Sequence, residues 1–148
     1  MTNREKYILS IYEELSDMGK HENVKLVKNT VNDGIYIKKT LKNYNIEIYK
    51  ILKNRQIKGI PKVYEIIEDE KELIIIEEYI HGLTLDKKYN KTDVETVKKI
   101  MEQLCNILKQ LHNMNPPIIH RDIKPTNIIV SNDDVVYLVD FNISREYD

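Results

Sequence analysis

The residues able to do chemistry crowd into one stretch of a 148-residue chain, between Ile118 and Asn142. His120-Arg121-Asp122 is followed by Lys124 and, five positions after the aspartate, by Asn127; Asp140-Phe141-Asn142 closes the stretch. A carboxylate such as Asp122 can take a proton from a hydroxyl group. The side-chain oxygens of Asn127 and Asp140 are hard donors of the kind a divalent cation selects, and Lys124 sets a positive charge beside them. Aspartate and asparagine often occupy loops only because they make turns. A set of this size at fixed spacing, ending on Asp-Phe, is much harder to reach by turn-making alone.

Short apolar runs rich in Ile and Val flank the polar loop, Ile118-Ile119 before it and Ile128-Ile129-Val130 after it, and Val136-Tyr137-Leu138-Val139 leads into Asp140. They read as buried strands. The pattern H-R-D-x-x-x-x-N followed by Asp-Phe resembles the catalytic centre of the eukaryotic-type (Hanks-type) serine/threonine protein kinase family, in a bacterial-like form. The resemblance implies ATP as phosphoryl donor, Mg²⁺ as cofactor and a protein hydroxyl as acceptor. In it Asp122 accepts or orients the hydroxyl proton, Lys124 neutralises charge on the transferred group, and Asn127 and Asp140 hold the metal. His120 packs rather than acting as a base. The implied fold is α+β, with a five-stranded antiparallel N-lobe sheet and one helix over residues 1–80. Residues 81–148 would then form the hinge exit and the first part of a helical C-lobe, with a long helix and the catalytic-loop hairpin.

The positions expected to hold nucleotide follow from the same resemblance. Apolar residues Tyr7, Ile8, Ile11, Tyr12 and Leu15 have helical spacing, and both a helix and a first strand stay open for Glu5 to Leu15. Ser16 to Val24 stands where the family has its glycine-rich phosphate loop, and only Gly19 remains of the glycines. Asn32-Asp33-Gly34, between Val24–Lys28 and Ile35–Lys39, is a hairpin signal. The second of these strands matches the family's V-A-I-K. That match makes Lys38 the lysine for the α- and β-phosphates, puts Tyr36 over adenine, and sends Lys39 to the other face. A helix expected over Asn43 to Asn54 has Glu47 as its only acid, the match for the carboxylate that pairs with the strand lysine. Further strands are expected over Lys62 to Glu68 and Leu73 to Tyr79. Glu77 then falls at the gate to the back pocket, a partly buried carboxylate in need of a partner. Glu78 and Ile80 would offer backbone groups to the adenine edge, with Val24 and Ile129 among the nucleotide contacts.

Thr92-Asp93-Val94-Glu95 carries a helix-start pattern, and Val94, Val97, Ile100, Met101, Leu104, Ile107, Leu108 and Leu111 recur at helical spacing until Pro116-Pro117. The only cysteine, Cys105, lies inside this pattern, so a buried, inert thiol is expected, and an internal disulfide is excluded. Composition is globular, with 41% hydrophobic and 32% charged residues, and a formal net charge of −1 gives no general reason to bind nucleic acid or an anionic membrane. No apolar run is long enough to span a bilayer, and a cytoplasmic location is expected.

The chain stops where the family's activation segment lies, so the resemblance takes in about the first half of a kinase domain. Phosphoryl transfer by this chain alone is expected to be weak, and the C-lobe face is expected to attract a second copy or a partner chain. Two other functions fit the same residues. One is a pseudokinase-like module that binds nucleotide or a partner without turnover, favoured by the degenerate glycine loop, Tyr36 and Glu77. The other is a small-molecule phosphotransferase, against which Lys124 points to the protein-kinase branch.

Overall fold

The computed structural model describes residues 1–17 and 23–147. The chain divides into two compact units, Met1–Lys53 with Lys62–Tyr79, and Asn54–Pro61 with Ile80–Asp148.

The first unit opens on α1 (Asn3–Ser10), begun by a capping box in which Thr2 Oγ1 accepts from the Glu5 N–H and the Glu5 carboxylate accepts from the Thr2 N–H. The two readings left open for this stretch are both realised in sequence, because β1 (Tyr12–Asp17) starts two residues after the helix ends. The remaining elements are β2 (Val24–Asn29), β3 (Ile35–Leu41), α2 (Ile46–Asn54), β4 (Val63–Asp69) and β5 (Glu72–Glu78). The five strands form one antiparallel sheet in the order β1-β2-β3-β5-β4. The expected hairpin joins β2 to β3. Asn29 Oδ1 accepts from the Val31 and Asn32 N–H groups, Asn32 Oδ1 accepts from Gly34 N–H, and Asp33 takes the left-handed backbone with φ 60°. Helix α2 begins three residues later than the periodicity suggests, with Asn45 Oδ1 accepting from Glu47 N–H, and it buries Ile48, Tyr49 and Leu52.

Residues directly opposite on paired strands share a face. By register, Ile37 faces with Leu26 and Glu77, Lys39 with Val24 and Ile75, and Leu41 with Leu73. Tyr36 and Lys38 lie on the opposite face, with Val27, Lys25 and Ile76. There the Tyr36 ring stands edge-on to Tyr12 and Tyr64, centroids 5.6 and 5.0 Å away.

The second unit carries β6 (Gly82–Thr84), α3 (Leu85–Lys88), α4 (Val94–His112), β7 (Ile118–Ile119), a 3₁₀ turn (Pro125–Asn127), β8 (Ile128–Ser131), β9 (Val136–Leu138) and β10 (Arg145–Glu146). Strands β6, β8 and β9 make one small sheet, and β10 pairs with β7. Gly82 is needed where β6 crosses β8, since a Cβ there would collide with the Val130 carbonyl oxygen. Asp93 caps α4 by accepting from Thr96 N–H at 2.7 Å, and Ile100, Leu104, Ile107 and Leu111 form its buried stripe. Cys105 is exposed, contrary to expectation. It sits next to Leu104 on the helix and is therefore turned about 100° away from the stripe. Among the described residues no helix is long and apolar enough to cross a membrane.

Candidate active site

The polar loop between β7 and β8 is fixed from both ends. His120, 1% exposed, uses both ring nitrogens: Nδ1 accepts from the Asp122 N–H (3.2 Å), so Nε2 carries the proton and donates to the Val139 carbonyl (2.9 Å). Its ring stands edge-on to buried Phe141, centroids 4.8 Å apart. Both ring nitrogens are committed to main-chain groups, so the imidazole holds the loop in place between the Asp122 N–H and the Val139 carbonyl.

Asn127 is buried, and its amide donates to the main-chain oxygen of Asp122 (2.9 Å) and to Asp122 Oδ2 (3.0 Å). Its main-chain carbonyl accepts from the Val139 N–H at 3.0 Å. Asp140 follows Val139 directly, so the β8–β9 pairing brings Asn127 and Asp140 to neighbouring strand ends. Lys124 Nζ lies 3.6 Å from Asp122 Oδ2 at the solvent edge. Two residues of this loop system adopt left-handed backbone, Arg121 at φ 73° and Asp140 at φ 64°. Strain of this kind persists only where the surroundings over-determine it. Asp140 Oδ1 accepts from the Asn142 N–H, which stabilises the turn with asparagine where the motif has glycine. The chain then returns: buried Ser144 donates its hydroxyl to the His120 carbonyl (3.0 Å), and β10 pairs with β7.

These residues offer oxygen ligands to a hard cation. Asn127 donates through its nitrogen, leaving Oδ1 outside those bonds, and Asp140 engages Asn142 through Oδ1 alone. Mg²⁺ ordinarily takes one or two protein oxygens and completes its octahedron with water and phosphate, so the donor set fits. Among the described residues no group of three His, Cys, Asp or Glu side chains forms a self-sufficient metal site.

In the first unit, the expected pairing of Lys38 with Glu47 is not formed. Lys38 Nζ reaches Glu14 Oε1 at 3.3 Å on the tyrosine face, and Glu14 also binds Lys25 at 2.7 Å. Glu47 is exposed and binds Lys50 on its own helix at 2.9 Å. The reason is geometric: strand alternation puts Lys38 on the face opposite to Glu77, and the three buried positions of α2 exclude Glu47. A buried ion pair does exist, between Lys39 and Glu77, 2.5 Å apart with side chains 11% and 10% exposed. Glu77, expected to need a partner, has one two positions diagonally across the β3–β5 ladder.

A family model for the protein kinase domain matches residues 12–148. The chain belongs to the protein kinase family. Serine/threonine-protein kinase D of Synechocystis is 38% identical over 88 residues, 59% of this chain and 17% of its own length. Serine/threonine-protein kinase PKH1 of Saccharomyces cerevisiae is 33% identical over 132 residues, 87% of this chain and 17% of its own. Human myosin light chain kinase family member 4 is 31% identical over 93 residues, 58% of this chain and 23% of its own. The chain thus aligns with less than a quarter of each of these proteins.

Of the residues singled out by likeness to protein kinases, Asp122, Lys124, Asn127 and Asp140 are assembled by β7, β8 and β9. Lys38, Glu47 and Tyr36 are not brought to one place: Tyr36 and Lys38 lie on the sheet face opposite to Glu77, and Glu47 is on the exposed side of α2. Val24 pairs with Lys39 and shares its face. The Glu78 N–H is used inside the first unit, donating to the Lys62 carbonyl at 2.8 Å, which leaves its own carbonyl outside that bond. Ile80 is buried, Ile129 is half-buried on β8, and Gly19 falls outside the described residues. Two contacts were missed from sequence, the buried Lys39–Glu77 ion pair and the Ser144 hydroxyl bond to the His120 carbonyl; both join residues far apart in the chain and had no sequence signal.

Proposed function

We propose that this chain is the nucleotide-binding and catalytic-loop part of a serine/threonine protein kinase, transferring the γ-phosphoryl group of ATP to a protein hydroxyl. The observation that carries the reading is the contact of the Asn127 amide with the Asp122 carboxylate, with Lys124 beside it and Asp140 on the neighbouring strand end. Asp122 orients the acceptor hydroxyl and takes its proton as the oxygen attacks phosphorus and the bond to ADP breaks. Lys124 neutralises charge on the travelling phosphoryl group. Asn127 and Asp140 hold Mg²⁺, which when bound offsets the charge of the β- and γ-phosphates. Asn127 also fixes the Asp122 rotamer, so one side chain serves both the metal and the proton acceptor.

A second reading, nucleotide binding without turnover, is favoured by one observation, that Lys38 and Glu47 are engaged elsewhere. Thermal melts of the purified chain with ATP and Mg²⁺, with ATP and EDTA, and with neither, combined with transfer of labelled phosphate to a generic basic protein, separate the two. A Mg²⁺-dependent stabilisation with transfer supports the kinase. Stabilisation without transfer supports the binding module, and a melt indifferent to ATP sinks both.

A further inference from the structure

We infer that the strand cation serving the nucleotide phosphates is Lys39 and that Glu77, on the adjacent strand, is its positioning carboxylate in place of any acid on α2. The inference rests on the kinase reading above and concerns which residues of this chain carry one of its parts.

Burial comes first. Every other ion pair among the described residues has side chains at least 23% exposed, whereas Lys39 and Glu77 are 11% and 10% exposed. A buried ion pair is a poor source of stability, because the cost of stripping water from two charges roughly cancels their attraction, and an apolar pair of equal volume does as well. Such a pair therefore calls for a task. The second argument is the face. Register places Lys39, Val24 and Glu77 on one side of the sheet, and in the kinase reading on which this inference rests Val24 and Glu77 are the residues that border the nucleotide. Lys38 lies on the other side, tied to Glu14 next to the tyrosine cluster. The third is the helix. The buried positions of α2 are Ile48, Tyr49 and Leu52, all uncharged, while Glu47 is occupied by Lys50 in solvent. No carboxylate on α2 is directed into the buried layer, and the sheet supplies one instead. An ammonium has three N–H donors. With one fixed by Glu77, two remain for phosphate oxygens.

The test works without an identified protein substrate. The wild-type chain is treated with an acyl-phosphate derivative of ATP, in which a lysine amine near the phosphates attacks the acyl carbon, an amide forms and ATP departs; fragment masses distinguish Lys38 from Lys39. Acylation at Lys39, suppressed by excess ATP, is expected. In parallel, Lys39→Met is expected to weaken ATP binding by about tenfold or more, with Lys38→Met and Glu47→Gln unchanged. Glu77→Gln should slow acylation at Lys39, with recovery in Glu77→Asp. Should Lys39→Met fail to fold, the double variant Lys39→Met/Glu77→Met removes both charges while keeping volume; folded and weak for ATP it supports the assignment, folded with wild-type affinity it overturns it. Acylation at Lys38, or loss of affinity confined to Lys38→Met, overturns the assignment and leaves the kinase reading standing. A Glu77→Gln chain that folds and acylates at the wild-type rate removes Glu77 from the role. A wild-type chain that binds no ATP refutes the kinase reading instead.

Discussion

The Asn127 amide donates to both the main-chain oxygen and the side-chain carboxylate of Asp122, at 2.9 and 3.0 Å. Two residues five apart are thereby locked into one unit, and the Asn127 main-chain carbonyl ties that unit to Val139, the residue before Asp140. The loop is held by the Asn127 amide nitrogen, which leaves the Oδ1 of that side chain outside these bonds.

Replacing Asn127 by alanine removes the donor for two Asp122 oxygens in a part-buried loop. A stability loss of about 1–3 kcal/mol is expected, read from the urea midpoint at unchanged m-value. The same variant should bind ATP with a reduced Mg²⁺ dependence. Full stability would mean that the contact contributes nothing to the fold.

Asp140→Ala should abolish the Mg²⁺-dependent part of any ATP-induced rise in melting temperature and leave the Mg²⁺-free part untouched. The comparison is made within each protein, with and without EDTA. Retention of the metal-dependent increment would remove Asp140 from the metal site.

His120→Phe keeps the ring contact with Phe141 but strands the Asp122 N–H and the Val139 carbonyl, both part-buried. The expected cost is about 2–4 kcal/mol, measured by equilibrium denaturation.

Asp93 gives a pH signature. The backbone N–H of Thr96 holds its carboxyl below the ordinary carboxylate range. A depressed carboxylate stabilises while ionised, so its contribution is complete above the unfolded value of about 3.9 and disappears as pH falls through the lower folded value. Asp93→Ala should therefore melt lower than wild type near neutrality, with the gap closing below about pH 4. A gap that stays constant into acid would show that the cap acts without its charge.

Much of the second unit was legible because its chemistry is local: the residues from His120 to Asn127 are close in the chain, and Ile/Val runs on either side announce the strands. The five-strand sheet was legible for a similar reason, from alternation and the Asn32-Asp33-Gly34 turn. What was not legible was the charge partners of one strand. Lys38 and Lys39 were expected on opposite faces of β3 and are found there. That Lys38 reaches Glu14 and Lys39 reaches Glu77 depends on which strands pair, and that is a long-range fact. Cys105 shows the complementary limit. An apolar helix such as α4 can carry more apolar positions than its buried stripe uses, and Val94 and Met101 are exposed alongside it.

Because Lys39 and Glu77 are carried on strands hydrogen-bonded to each other, the spacing of their charges is set by the ladder itself. A tilt or slide of α2 would leave that spacing intact. The separation of these two charges is thus a property of the sheet rather than of where α2 sits.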